Sequence, residues 1–176
     1  MAVDPAGKIY LAWTASDNSG IARLVFSQSL DGGATFSNPL TISNPSVTAI
    51  PGAIAVDASG NINVAWSEAP PPQGLETIYF SRSTDGGTTF SSPSQVTNSS
   101  GPMFRVAGLA VDASGSIHVL WTDVLGGQTD TFLNLSGNGG ATFAAENFQA
   151  GVSDFAQSAQ LALDARGGTT GLPSPV

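Results

Sequence analysis

Three segments of this chain lie over one another without a gap: AVDPAGKIYLAW, AVDASGNINVAW and AVDASGSIHVLW. Their aspartates are Asp4, Asp57 and Asp112 and their tryptophans Trp13, Trp66 and Trp121, so both series step by 53 and then 55 residues. A fourth opening, ALDARGG, places Asp164 another 52 residues on. A second motif recurs between these, as SLDGGATF, STDGGTTF and SGNGGATF, with Asp31, Asp85 and Asn138 spaced 54 and 53 apart. Two independent motifs on one period define a repeat, and a repeat of about 50 residues is one supersecondary unit that buries its apolar face only against its neighbours.

Within one period the residues alternate as strands do. In the second copy Ile54 and Val56 precede the turn Asp57-Ala58-Ser59-Gly60. Ile62, Val64 and Trp66 then alternate with Asn61, Asn63 and Ala65, which is the period of two. TIYFSRS follows, then Asp85-Gly86-Gly87, then a short segment near SQVTN. Glycine after Asp supplies the positive φ that a tight hairpin demands. No stretch shows a helical period. The chain is therefore expected to be all-β, with four antiparallel strands per repeat and about three propeller blades.

In a four-stranded meander the first and third turns lie at one end. The second loop and the connection to the next blade lie at the other. The DASG-type turns and the DGG octets are thus expected to share one end, and the segments that vary between copies to share the opposite one. Those variable segments are 15–20, 68–76 and 123–130, with connections at 44–52, 98–108 and 149–158. Their polar residues Asp17, Glu68, Glu76, Asp123, Asp130, Arg105 and Gln157 are the candidate ligand contacts. Arg105 is specific to its copy, since the corresponding positions are Ile50 and Gln157.

Composition narrows the partners. The net charge is −8 and there are five Lys plus Arg, too few for the basic stripe that phosphate binding requires. The same balance disfavours anionic membrane surfaces. There is no cysteine, so no disulfide framework or thiolate metal site is expected. His118 is the only histidine and no HExxH, P-loop, GxGxxG or GxSxG occurs, so neither metal nor cofactor is expected. No apolar run reaches 18 residues, and the start MAVDPAGKIYLAW carries no visible signal peptide.

The SxDGGxTF octets resemble the Asp box, or bacterial neuraminidase repeat, in all three copies, with Asn138 the one departure. The AVDxxGxxxxxW stretch is similar to repeats of sialidase-type proteins. The family also contains glucanases, sortilin-like receptors and plant assembly factors, so the resemblance speaks to fold before function. It implies repeats over 1–165, with blades at about 1–48, 49–103 and 104–156, a fourth starting at 157–165, and a divergent tail at 166–176. It also implies that the octets brace their hairpins away from the active face. Ser29, Asp31, Thr35 and Phe36 would do so in the first copy, Ser83, Asp85, Thr89 and Phe90 in the second, and Asn138, Thr142 and Phe143 in the third. In each, the phenylalanine would plug the core of its blade, as would the three tryptophans.

Sialidases hold a substrate carboxylate with three arginines, because a bidentate guanidinium matches that group. This chain has Arg23, Arg82, Arg105 and Arg166, of which only Arg23 and Arg105 are expected at the variable end. No catalytic residue is assigned. The resemblance implies a non-catalytic segment of an exported propeller, extracellular or periplasmic, that presents its variable loops to a glycan or protein. The alternative is a fragment of a sialidase-like glycoside hydrolase whose arginines lie in other blades. Three blades are too few for a six-bladed ring, so self-association of two copies is a further expectation.

Overall fold

A computed structural model describes residues 1–152, except 17, 19, 71–73, 99–100, 102–103, 126–127 and 145–148. Asp17, Gln157, the expected start of a fourth blade and the tail at 166–176 lie outside the described residues. The rest forms three four-stranded sheets, each an antiparallel meander in chain order. The first contains β1 (Ala2–Val3), β2 (Ile9–Ser16), β3 (Ala22–Ser29) and β4 (Leu40–Thr41). The second contains β5 (Thr48–Val56), β6 (Ile62–Ala69), β7 (Thr77–Ser83) and β8 (Ser94–Gln95). The third contains β9 (Arg105–Val111), β10 (Ile117–Leu125), β11 (Gln128–Ser136) and β12 (Gln149–Val152). No described helix is long and apolar enough to cross a membrane.

The sheets stack as blades because alternation gives each inner strand an apolar face that is buried only against the neighbouring sheet. Ile62, Val64 and Trp66 of β6 are fully buried against Tyr10, Leu24 and Phe26 of the first blade. Ile117, Val119 and Trp121 of β10 repeat this against Ala65, Ile78 and Phe80 of the second. Each such side chain contributes roughly 1.5–3 kcal/mol of transfer free energy, so blade docking, rather than any single hairpin, holds the array. Strands β5 and β9 run side by side, and Gly52 opposes Val106 so closely that a Cβ would meet the valine. The outer strands β4 and β8 are two residues long, which leaves little edge for stray pairing.

Both motif turns are built from side-chain oxygens. Asp4, Asp57 and Asp112 each accept backbone N–H bonds from the residues two and four positions on, at 2.9 Å. In the octets, Ser29 Oγ donates to Asp31 Oδ1 at 2.7 Å and accepts from Gly33 N at 2.8 Å. Thr35 N and Oγ1 both donate to Asp31, at 2.9 and 2.5 Å. Ser83, Asp85, Gly87 and Thr89 repeat the pattern. In the third copy Asn138 Oδ1 accepts from Ser136 Oγ and Thr142 N, while its amide donates to Thr142 Oγ1 at 2.8 Å.

Two expectations change. The octet phenylalanines do not plug their own blades: Phe90 packs edge-on against Phe26 of the preceding blade, with centroids 5.0 Å apart, and Phe143 against Phe80 at 5.4 Å. Phe36 has no preceding blade among the described residues and is 45% exposed. Trp13 is likewise 37% exposed while Trp66 and Trp121 are buried. The turn of one blade is thus a wedge into its predecessor.

The octet carboxylates set an acid limit. Asp31 and Asp85 are held at about 2 rather than the usual 3.8, first by the threonine hydroxyl and then by backbone N–H and serine bonds. A depressed folded pKa gives stability that is complete above the unfolded value and lost as pH falls through the folded one. The thermal midpoint is therefore expected to fall between about pH 4 and pH 2. Asp85→Asn should shrink that loss and keep the turn, as Asn138 does in the third copy. An unchanged acid limb in Asp85→Asn would remove Asp85 as a cause.

Candidate functional site

Chain direction separates the two ends of every blade. At one end sit the Asp turns and octets, tied across blades by Gln28 Nε2 donating to Gly86 O at 2.7 Å and Ser94 Oγ to Gly140 O at 2.6 Å. Within the second blade, Arg82 pairs with Asp57 at 2.7 Å at the same end. His118 does the same in the third blade, where its Nε2 lies 3.2 Å from Asp112 Oδ2. His118 is thus a brace onto its own turn, equivalent to Tyr10 OH donating to Asp4 at 3.0 Å.

The opposite end gathers Glu68, Glu76, Arg105, Asp123 and Asp130. Four of them lie on strands rather than in the loops expected from sequence, and Glu76, in the segment between β6 and β7, is held by an isolated bridge to Gly101. Glu68 lies on β6 and Asp123 and Asp130 on β10 and β11, where they face one another directly across the ladder. Arg105 opens β9. Strands simply run further toward this end than the turn residues suggested.

Glu68 is buried, and its Oε1 accepts from Trp66 Nε1 at 2.9 Å and from Asn44 N at 3.0 Å. It thus locks the connection between the first two blades to the core tryptophan. The sequence did carry a signal for this: Glu68 stands two residues after Trp66, hence on the same strand face. Trp121 instead donates to buried Asn134 Oδ1 at 2.7 Å.

Glu76 is also buried and forms an ion pair with Arg105, whose guanidinium additionally donates to Phe104 O at 3.0 Å. Backbone bonds tie Glu76 to Gly101, with N to O distances of 2.6 and 3.1 Å. Burial pushes the Glu76 carboxyl above its usual range, against the pull of Arg105, and the Asp123 charge adds to the rise. Arg23 Nε donates to Pro45 O at 3.0 Å in the first blade. Among the described residues this end therefore carries four carboxylates, Glu68, Glu76, Asp123 and Asp130, against the guanidinium groups of Arg23 and Arg105. No group of three metal-ligating side chains occurs among the described residues.

The pair makes an asymmetric prediction. Arg105→Met leaves a buried carboxylate uncompensated and is expected to lower stability by about 2 kcal/mol, discounted because the arginine is partly solvated. Glu76→Gln removes a charge that burial already opposes and leaves Arg105 facing water, at about 1 kcal/mol or less. Urea midpoints of the two variants check this, and equal losses would sink the argument.

No known protein family matches this sequence, and no curated protein does either. Solved structures do. The Hadza microbial sialidase Hz136 superposes with a TM-score of 0.69 at 15% identity, covering 90% of this chain and 38% of that one. Trypanosoma rangeli sialidase, in complex with the inhibitor DANA, gives 0.61 at 12% identity over 84% of this chain and 30% of that one. An ulvan lyase, from a new polysaccharide lyase family, gives 0.52 at 12% identity over 84% and 54%. The three sheets are blades of a sialidase-like β-propeller. The chain spans well under two thirds of each of these proteins.

Proposed function

We propose that this chain is a segment of an exported Asp-box propeller, extracellular or periplasmic, that binds a glycan at the end opposite its octets without cleaving it. The observation that carries the reading is the charge of that end. Among the described residues its carboxylates outnumber its guanidinium groups, and Arg105 is engaged by Glu76. Carboxylates and carbonyls at a strand-built surface suit the hydroxyls of neutral sugars or the ammonium of amino sugars. A carboxylated sugar would meet repulsion there, since guanidinium forks are what recognise such groups.

Glycan-array binding with a fluorogenic sialoside in parallel tests the proposal. Binding of neutral or amino glycans without turnover is the expected result, weakened at least tenfold by Asp123→Ala with Asp130→Ala. Preferential binding of sialosides, or their hydrolysis, would overturn it in favour of a sialidase-like hydrolase segment. The sialidases among the structural neighbours are what keep that second reading in view.

A further inference from the structure

The third octet carries an amide where the other two carry an acid. Asn138 stands at the place of Asp31 and Asp85, and Gly139 after it makes the one Asn-Gly step in the chain. Asn138 is exposed, so water reaches it. In such a step the backbone nitrogen of the second residue attacks the side-chain carbonyl carbon of the first, because glycine has no Cβ to hinder the approach.

The turn supplies the rest of the chemistry. Asn138 Oδ1 accepts from Ser136 Oγ at 2.9 Å and from Thr142 N at 3.0 Å. Charge that develops on Oδ1 as nitrogen adds to Cγ therefore meets two donors already in place, as in an oxyanion hole. Asn138 Nδ2 donates to Thr142 Oγ1 at 2.8 Å. Once that nitrogen is a tetrahedral amine, the threonine hydroxyl can turn, donate to it and help it leave as ammonia. Arg82 adds a charge, since a Cβ on Gly139 would lie 2.8 Å from its Nη1. A guanidinium so near favours loss of the Gly139 N–H proton, which precedes the attack.

We infer that Asn138 deamidates spontaneously in the folded protein and that the octet steers the product to aspartate. A bond from Gly139 N to Asn138 Cγ closes a succinimide ring, and the Cγ–Nδ2 bond breaks to release ammonia. Water then opens the ring, so that one water is consumed and one ammonia released, with no change of oxidation state. Breaking the ring at Cγ gives aspartate. Breaking it at the backbone carbonyl gives isoaspartate, whose main chain is one methylene longer. The longer chain does not fit this turn. Gly140 is pinned against the Phe80 ring, its N donates to Ser136 Oγ at 2.9 Å, and its O accepts from Ser94 Oγ at 2.6 Å. Aspartate keeps all three contacts and gains the threonine hydroxyl bond that Asp31 and Asp85 receive. The two products interconvert through the ring, so the pool drains toward the one the fold holds. This is independent of what the opposite end binds.

Peptide mapping of the whole chain, aged at mildly alkaline pH in heavy-oxygen water, tests it against the same chain unfolded in urea. The native chain is expected to take up the label at residue 138 at a rate within about tenfold of the unfolded one. A reaction that waits for global unfolding would be slowed by roughly a thousandfold or more. Aspartate should exceed isoaspartate at least tenfold in the native chain and be the minor product in urea. Thr142→Val should slow native conversion at least fivefold and leave the rate in urea unchanged. Asn138→Asp marks the product: the aged chain should elute with it on anion exchange, one negative charge beyond the starting −8. A native rate about a thousandfold below the rate in urea overturns the inference. Isoaspartate as the main native product overturns it too. So does faster native conversion in Thr142→Val, which would show that the octet shields Asn138.

Discussion

Gly140→Ala is expected to destabilise this protein by about 3–5 kcal/mol, against about 1–2 kcal/mol for Gly86→Ala. Both glycines sit in octet turns at positive φ, +87° and +73°, so alanine meets the left-handed penalty at each. Only Gly140 faces another blade. A Cβ there would fall within the Phe80 ring, which is already wedged edge-on against Phe143. Phe80 is buried in the core between the second and third blades and has nowhere to swing. At Gly86 a Cβ meets nothing within 4 Å. Gly87, whose Cβ would lie 2.8 Å from Phe26, should behave like Gly140. Thermal midpoints should separate the variants by roughly 4–12 °C for a domain of this size. Equal shifts at Gly86 and Gly140 would show that φ alone sets the glycine requirement and that the wedge contributes nothing.

The second large effect concerns the tryptophans, which the sequence renders equivalent and the structure does not. Trp66→Ala is expected to lower stability by about 3–5 kcal/mol, as deletion of a buried aromatic does. It removes the stacking partner of Tyr79, with centroids 6.3 Å apart, and one of the two donors to Glu68. Trp13→Ala should reduce stability by about 1 kcal/mol, because the ring is already partly in water. Trp66→Phe isolates the hydrogen bond: with the ring volume largely kept, the remaining loss should be about 1–2 kcal/mol and reflect Glu68 held by Asn44 N alone. Denaturant midpoints for the three variants rank these effects. A Trp13→Ala loss as large as that of Trp66→Ala would mean that the first blade's front is covered in solution.

Much of the fold was legible because a period of two and a period of about 50 are both local or additive properties. Asp57 followed by Gly60, and Asp31 followed by Gly32 and Gly33, announce tight turns whichever fold contains them. Ile62, Val64 and Trp66 announce one strand face. The candidate site was less legible. Glu68 and Glu76 read as polar residues of a proline-rich loop, yet both are buried, because Trp66 Nε1 and Arg105 come to them from the same strand and from another blade. The i, i+2 relation exposed the first partner. Nothing local exposed the second, 29 residues away.

The sequence by itself determined that this chain is all-β, that its unit is a four-stranded meander, and that the octets and the variable segments lie at opposite ends. Those follow from alternation, from turn chemistry and from the reversal of direction at each hairpin. The tertiary structure alone decided which blade each aromatic serves. Phe90 belongs to the core of its predecessor and Phe36 to none among the described residues, because packing depends on which surfaces meet in space. A repeat makes side chains identical in sequence, and only the stacking order makes one of them buried and the next one bare.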